Sequence, residues 1–300
     1  MSHFSRRDLL KTAVGAGAAV ASGSLSLPVP AAVKRSATDW VTLGNSNVKV
    51  TRLAFGTGTF GGRVQRELGQ EEFTKLVRYA YDRGIRFFES AEAYTGMHEM
   101  LGIALKGLPR DSYRLMTKVR LRDTTDAFAK LDTYRRQLNT EYFDIVLLHC
   151  VRTADWPEQF KPVRDQLSEA KDKKILAAHG ASVHGLLPLR QFPSNTNWLD
   201  VALMRINNAG VKMDNLKSAD NEEGVVDEVV THISEVRQKG TGILGMKIIG
   251  EGAFKSPEQR AASVNFVFKK LGTVDAVTIG YKSPAEIDEA IERINTALNS

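Results

Sequence analysis

The chain has 300 residues, 42% of them hydrophobic and 25% charged, and a formal net charge of +6. That composition suits one large globular domain or two small ones; the charges are dispersed, with no basic stripe interleaved by aromatics, which argues against a nucleic-acid surface. The single cysteine, Cys150, excludes an intrachain disulfide, and no Cys/His spacing suggests a metal site.

Residues 1–36 read as a targeting segment and linker, and residues 37–300 as the folded domain. Ser5-Arg6-Arg7-Asp8-Leu9-Leu10-Lys11 precedes a mildly apolar Ala/Gly/Val run to Gly23, too short and too mild for a stable transmembrane helix. Paired arginines before such a run resemble a twin-arginine export signal, and Val29-Pro30-Ala31 or Pro30-Ala31-Ala32 offers small-residue cleavage. The resemblance implies use of the export machinery, a periplasmic or other extracytoplasmic location, and no stable membrane span once the signal is removed. A disordered basic tail is the plain alternative.

The domain opens with two alternating runs, Trp40 to Val50, flanking Gly44-Asn45, which predicts a β-hairpin. Strand Leu53–Gly56 leads into Gly56-Thr57-Gly58-Thr59-Phe60-Gly61, a match to the Rossmann fingerprint. The match fails on context: the fingerprint needs a helix to open at once, whereas Arg63 to Gly69 reads as polar loop and the helix as Glu71–Arg83. Strand and helix patterns then alternate. Buried strand Phe87–Glu89 precedes Tyr94 and a short amphipathic helix, and the next strand ends at Lys118. Helix Thr124–Leu138 precedes strand Asp144–His149. Loop Cys150–Lys161, with Trp156 and Phe160, is expected to shape a pocket. Helix Pro162–Lys171, strand Ile175–Ser182, a weak crossing at Leu186–Phe192 and strand Val201–Ile206 follow. A polar loop to Gly224 leads to helix Val225–Lys239 and strand Gly242–Ile249. Helix Pro257–Leu271, strand Ala276–Gly280 and helix Pro284–Leu298 complete the chain. Both last helices open with Ser-Pro and a Gln or Glu at the capping-box position, Ser256 to Gln259 and Ser283 to Glu286. Eight βα units in about 250 residues predict the α/β class and a (β/α)8 TIM barrel with an N-terminal β-hairpin.

In such a barrel the C-terminal strand ends share one face, so Glu89, Tyr94, Lys118 and His149 are brought together there. A free phenol, with a pKa of about 10, is a poor acid near neutrality. A lysine cation beside it favours phenolate and is expected to lower that value by roughly 1–3 units. The acid would hold the lysine, and the histidine would orient a substrate oxygen. This equipment protonates a carbonyl oxygen as hydride reaches carbon, and since no side chain donates hydride, a nicotinamide cofactor is required. Each residue also has a plain reading: strand-end ion pair, loop cap, solvated lysine, core histidine.

Gly84-Ile-Arg-Phe-Phe-Glu-Ser-Ala-Glu-Ala-Tyr-Thr-Gly96 resembles the signature of the aldo-keto reductase family, as do Glu99 to Lys106, Thr117-Lys118 and Leu147-Leu148-His149 at the family's intervals. The likeness runs from about Trp40 to the C-terminus and implies a hairpin plugging the bottom of the barrel. It also implies a small-molecule carbonyl substrate, with Tyr94 as general acid, Lys118 as its modulator, His149 as substrate orienter and Glu89 where the family has aspartate. For the cofactor it implies Gly56, Thr57 and Gly58 beside the nicotinamide ribose, Ser182 at the carboxamide, Asn207 as the family's asparagine after strand six, and Met246-Lys247 before the pyrophosphate loop. Gly250, Gly252, Gly280 and Lys282 lie in the glycine-rich loops after the last two strands, where such barrels often bind phosphate. Family habit favours NADP(H) over NAD(H). Five positions depart: Glu89 is one methylene longer than aspartate, Leu203 and Ile206 replace a glutamine and a stacking aromatic, and Glu286 and Ala290 replace the arginine and asparagine at the adenosine end. The departures motivate a rival expectation, an exported barrel that binds a dinucleotide, ligand or partner without turnover.

Overall fold

The structure is a computed structural model that describes residues 34–120, 125–217, 222–271 and 275–300. The arginine pair and the apolar run after it lie outside the described residues, as does Thr124. A compact unit spans Lys34–Ser300.

Antiparallel strands β1 (Trp40–Thr42) and β2 (Lys49–Thr51) form the hairpin, with Val41 opposite Val50. Then come β3 (Leu53–Gly56), the one-turn α1 (Arg63–Arg66), α2 (Gly69–Asp82), β4 (Phe87–Glu89), α3 (Met97–Leu105), β5 (Arg114–Arg120) and α4 (Ala127–Leu138). Next are β6 (Phe143–Val151), the short α5 (Trp156–Gln159), α6 (Lys161–Asp172), β7 (Leu176–Val183), the short α7 (Leu186–Leu189) and β8 (Val201–Arg205). The chain closes with α8 (Val226–Gln238), β9 (Gly242–Met246), α9 (Pro257–Asn265), β10 (Ala276–Gly280) and α10 (Pro284–Asn299). Strands β3 to β10 form a closed parallel barrel in sequence order, with β10 returning to β3. This is the (β/α)8 barrel with an N-terminal hairpin.

Two apolar layers follow from strand alternation. Outward residues such as Phe55, Phe88, Leu115, Ala181, Ala202 and Met204 pack under the helices. Inward residues, including Ala54, Phe87, Met116, Ile145, Leu147, Ala178, Leu203, Leu244 and Ala276, fill the barrel together with hairpin residues Leu43, Val48 and Val50. The hairpin therefore does plug one end, and its Asn45 amide donates to Gly240 at the N-terminal end of β9.

Several local expectations are corrected. The stretch after Gly62 is not loop: α1 forms there because Gln65 is fully buried and donates to the carbonyls of Gly56 and Tyr281. Rejection of the Rossmann reading stands on β3 being a stave of a closed barrel. Helix α4 starts at Ala127, where Asp126 caps the Ala129 amide. Trp156 does not shape a pocket; it is fully buried, packed at a tilt against Phe192 and Trp198 beneath the helices. Strand β9 stops at Met246 because Lys247 takes a left-handed backbone, φ 62°. The Ser256–Gln259 capping box is complete. At Ser283 only half forms: Ser283 accepts the Glu286 amide, while the Glu286 carboxylate accepts the amide of Lys282 instead.

Candidate active site

Strand alternation also builds the site. Two residues beyond the inward apolar layer, the strands present their next inward position at the C-terminal mouth: Gly56, Glu89, Lys118, His149, Arg205, Met246 and Thr278, with Ser182 and then His184 on the line of β7. Glu89, Lys118 and His149 were expected at strand ends; Glu89 does end β4, whereas β5 and β6 run two residues past Lys118 and His149. His184, Arg205 and Thr278 were missed, although the signal was present as the residue two beyond each buried inward position.

Lys118 is buried, 1% exposed, and its ammonium donates to the Glu89 carboxylate, to the Ser90 carbonyl at 3.0 Å and to the Tyr94 hydroxyl oxygen at 3.2 Å. Those three bonds account for all three ammonium hydrogens. Since lysine can only donate, the Tyr94 oxygen is the acceptor in that bond and the phenol proton is not spent on Lys118; the Glu89 carboxylate lies within reach of it. The Tyr94 ring stands edge-on to His149, with centroids 5.5 Å apart. The backbone around Tyr94 is fixed by Tyr94 N–H to Ala91 and Met97 N–H to Tyr94, which starts α3 immediately after the tyrosine.

The longer acid at position 89 is accommodated by its neighbours. One carboxylate oxygen meets Lys118; the other accepts from Thr278 Oγ1 at 3.2 Å and lies over Gly56, where a β-carbon would sit 2.9 Å from it. Gly58 plays the same part for the tyrosine: a β-carbon there would fall 2.6 Å from the Tyr94 hydroxyl.

Electrostatics differ from the expectation in one respect. Burial, reinforced by the Glu89 charge, pushes the Tyr94 phenol well above its ordinary value rather than below it. Burial lowers Lys118, opposed by Glu89. Burial, then the Lys118 charge, holds His149 well below the usual imidazole range, so the ring is neutral at pH 7.

A cleft of about 510 Å³ runs from this mouth to α10. Of the predicted cofactor positions, Gly56, Gly58, Met246, Lys247, Gly252, Gly280 and Lys282 line it, together with Glu89 and Tyr94. Four do not. The Thr57 hydroxyl is tied to the Glu89 carbonyl and Ser90 Oγ, both at 3.1 Å. Ser182 Oγ accepts the Cys150 amide at 2.7 Å. Asn207 is fully buried, bridging the carbonyls of Val211 and Lys247 and accepting two amides of its own loop. Gly250 packs against Val211 and Ala253. Leu203 and Ala290 line the cleft, whereas Ile206 faces the outer apolar layer.

The cleft suits a dinucleotide. Its volume lies within the 300–1,000 Å³ common for cofactor sites, its middle is apolar (Leu203, Met246, Ile248), and Lys247, Lys255, Arg260, Lys282 and Arg293 supply cations. Carboxylates accompany them: Glu251 pairs with Lys247 at 2.7 Å, and Glu289 pairs with Arg260 and Arg293. Among the described residues no cluster of His, Cys, Asp and Glu could hold a metal ion.

The fold is shared by solved structures. A Pseudomonas aeruginosa protein solved as an aldo-keto reductase superposes with a TM-score of 0.71 at 21% identity, over 88% of this chain and 98% of its own. An aldo/keto reductase of Klebsiella pneumoniae, solved with NADP and acetate, gives 0.61 at 14% identity, over 87% and 90%. L-Galactose dehydrogenase of Arabidopsis thaliana is 34% identical over 118 residues, 36% of each chain. The matched stretches span about two fifths of such curated relatives. Residues 52–295 match the model of the Aldo/keto reductase family, and with the barrel and mouth described above the chain belongs to that family.

Proposed function

We propose that the chain reduces aldehyde or ketone carbonyls with NADP(H), with Tyr94 as the general acid. The observation that carries this reading is that Lys118 donates at once to Glu89 and to the Tyr94 hydroxyl on the wall of the cleft. When bound, the dinucleotide supplies hydride from its nicotinamide. The side chains handle the oxygen. The Tyr94 O–H, not spent on Lys118, donates to the substrate oxygen, and neutral His149, ring edge against Tyr94, donates to the same atom. As negative charge grows on that oxygen the tyrosine proton transfers, and the phenolate left behind faces the Lys118 ammonium. Glu89 keeps that ammonium in place and charged, so the added methylene supports chemistry rather than the binding-only alternative. NADP(H) is supported by the Klebsiella pneumoniae neighbour solved with NADP and by the cations along the cleft.

The test is NADPH consumption by the purified domain against an aldehyde panel, with NADH alongside and dinucleotide binding followed by tryptophan fluorescence. Tyr94→Phe should abolish carbonyl-dependent oxidation while dinucleotide binding and melting temperature hold. Full turnover in that variant would refute the role of Tyr94. Tight binding with no carbonyl-dependent oxidation in the unmodified protein would favour the binding-only barrel.

Export belongs to the same reading and rests on Arg6-Arg7 and the apolar run that follows. Replacing both arginines by lysine should retain the protein in the cytoplasm on cell fractionation, and unchanged export would refute it. Among the described residues no helix is long and apolar enough to cross a membrane.

A further inference from the structure

Tyr94 stands on the turn between β4 and α3, and its hydroxyl meets Lys118 only while that turn keeps one register against β5. Beyond Glu89 the chain leaves the strand yet stays in step with its neighbour. The Ser90 amide bonds the Met116 carbonyl at 2.9 Å, and the Glu92 amide bonds the Lys118 carbonyl at 3.3 Å. By the same two-residue step of a parallel ladder, the next acceptor for the Arg120 amide would be the Glu92 carbonyl. The chain turns away there, with Tyr94 N–H bonded to Ala91, and the Glu92 carboxylate takes the place of the carbonyl: its Oε2 accepts the Arg120 amide at 3.1 Å.

The same oxygen accepts the Tyr134 hydroxyl of α4 at 2.6 Å, and Oε1 pairs with Lys130, one turn earlier on that helix. Burial works to raise the Glu92 carboxyl, but the bonds from Lys130, Tyr134 and the Arg120 amide outweigh it and hold it below the usual carboxylate range, so it is ionised at pH 7. A second pin lies four residues beyond the tyrosine. Gln137 donates to the Glu99 carboxylate at 2.7 Å, which turns its oxygen toward His98; His98 Nδ1 therefore donates to Gln137, and Nε2 accepts from Thr117 Oγ1 at 2.8 Å. Thr117 and Arg120 bracket Lys118 on β5. Tyr134, its ring edge-on to His98 with centroids 4.9 Å apart, touches both pins. Residues 92 to 98 are thereby fixed to β5 on both sides of Lys118, and Tyr94 rides between the two pins.

We propose that Glu92 is a positioning residue for the proton transfer: by bonding the Arg120 amide and the Tyr134 hydroxyl, its carboxylate sets the reach of the Tyr94 hydroxyl to Lys118 and to the substrate oxygen. The proposal rests on Tyr94 being the general acid. Glu92 does not line the cleft, so it acts through the tyrosine and not on the dinucleotide or the substrate. A carboxylate that only stabilised the fold would lower the melting temperature and leave Tyr94 where it is.

The test measures single-turnover hydride transfer to an aldehyde in the NADPH-loaded protein. Glu92→Ala removes the acceptor of both donors and should slow transfer roughly 10²-fold, the cost of about an ångström in a positioned group, with KM for the aldehyde and NADPH affinity little changed. Glu92→Gln keeps a carbonyl acceptor for the Arg120 amide and should restore the rate to within about tenfold of the parent, the scale of one hydrogen bond. An arm independent of turnover follows the Tyr94 ring by ¹³Cζ-tyrosine NMR, its signal identified by its loss in Tyr94→Phe. That signal should move in Glu92→Ala and return toward its parent position in Glu92→Gln. If Glu92→Ala does not fold, Tyr134→Phe, which removes one bond to the carboxylate and keeps the ring in the core, should move the signal and slow transfer by about tenfold or less. A Tyr94 signal unmoved in every folded variant, a loss of rate matched by the loss of folded protein, an effect on KM alone, or Glu92→Gln as slow as Glu92→Ala would overturn the assignment. Failure of every aldehyde to turn over in the unmodified protein would count against the proposed reductase activity, while the NMR arm would still decide the role of Glu92.

Discussion

The Glu89 carboxylate and the Thr278 hydroxyl meet at 3.2 Å across the seam where β10 closes on β3, and this contact holds the second carboxylate oxygen while the first holds Lys118. The Glu89–Lys118 ion pair is buried, so removing the carboxylate strands the ammonium. Glu89→Ala should cost about 3 kcal/mol or more of stability, seen in chemical denaturation. Glu89→Asp should cost less and keep turnover within about tenfold, because Lys118 also bonds the Ser90 carbonyl. If Glu89→Ala is as stable as the parent, the ammonium is not held charged as described.

The barrel, and the gathering of Glu89, Tyr94 and Lys118 at its mouth, were legible because both depend on short-range signals: alternation, capping and glycine turns mark βα units, and strand ends mark the mouth. The lengths of β6 and β9 were not legible, since a strand edge depends on the neighbour it pairs with; Val151 continues because Val183 lies opposite it. Trp156 was misplaced because an aromatic in a loop reads the same whether it faces a pocket or the helix layer. The sign of the Tyr94 shift was missed for a different reason. Sequence places a lysine near the phenol but does not weigh burial and the Glu89 charge against it.

Gly58 leaves the space that Tyr94 occupies. Its backbone is not left-handed, so alanine is tolerated by the chain, yet the added β-carbon would sit 2.6 Å from the tyrosine Cζ and hydroxyl. Gly58→Ala should displace the phenol by about an ångström and lower kcat by roughly 10²-fold, with little change in melting temperature. Unimpaired turnover would show that Tyr94 does not need this seat.

The raised phenol fixes the pH dependence of each direction. Tyr94 stays protonated to well above pH 10, and His149 stays neutral down to well below pH 6.5. Carbonyl reduction, which needs both forms, should show kcat/KM flat from about pH 6.5 to 9. Alcohol oxidation needs the phenolate and should rise with pH across the same range. A reduction profile that falls on an apparent pKa near 8 would contradict the assigned acid.

Stability should fall on mild acidification for a related reason. Burial holds His98, His149, His179 and His184 below the ordinary imidazole range. The unfolded chain takes up protons on these rings near pH 6.5 while the folded chain resists, so the unfolded state binds more protons and stability rises with pH in that window. Each such ring contributes a slope of about 1.4 kcal/mol per pH unit below pH 6.5 until its folded pKa is reached. Melting temperature should therefore drop between pH 7.5 and 5.5, before most carboxylates titrate, and His149→Gln should flatten the drop by about one proton. An unchanged slope would mean that His149 is protonated in the fold.

Glu251 spans the cleft. From the turn after β9 its carboxylate accepts the Phe60 amide at 3.2 Å on the loop after β3 and pairs with Lys247 at 2.7 Å. A pyrophosphate reaching Lys247 must displace a like charge that also bridges the two loops. Glu251→Gln keeps a carbonyl acceptor for Phe60 but removes the charge; Glu251→Ala removes both. If charge dominates, both variants should bind NADPH about tenfold more tightly, and the gain should shrink as added salt shortens the Debye length. If bridging dominates, only Glu251→Ala should associate faster in stopped flow, and salt should leave that difference intact. Weaker binding in both variants would mean that Glu251 holds Lys247 in the position the dinucleotide requires, making the pair part of the site rather than its obstacle.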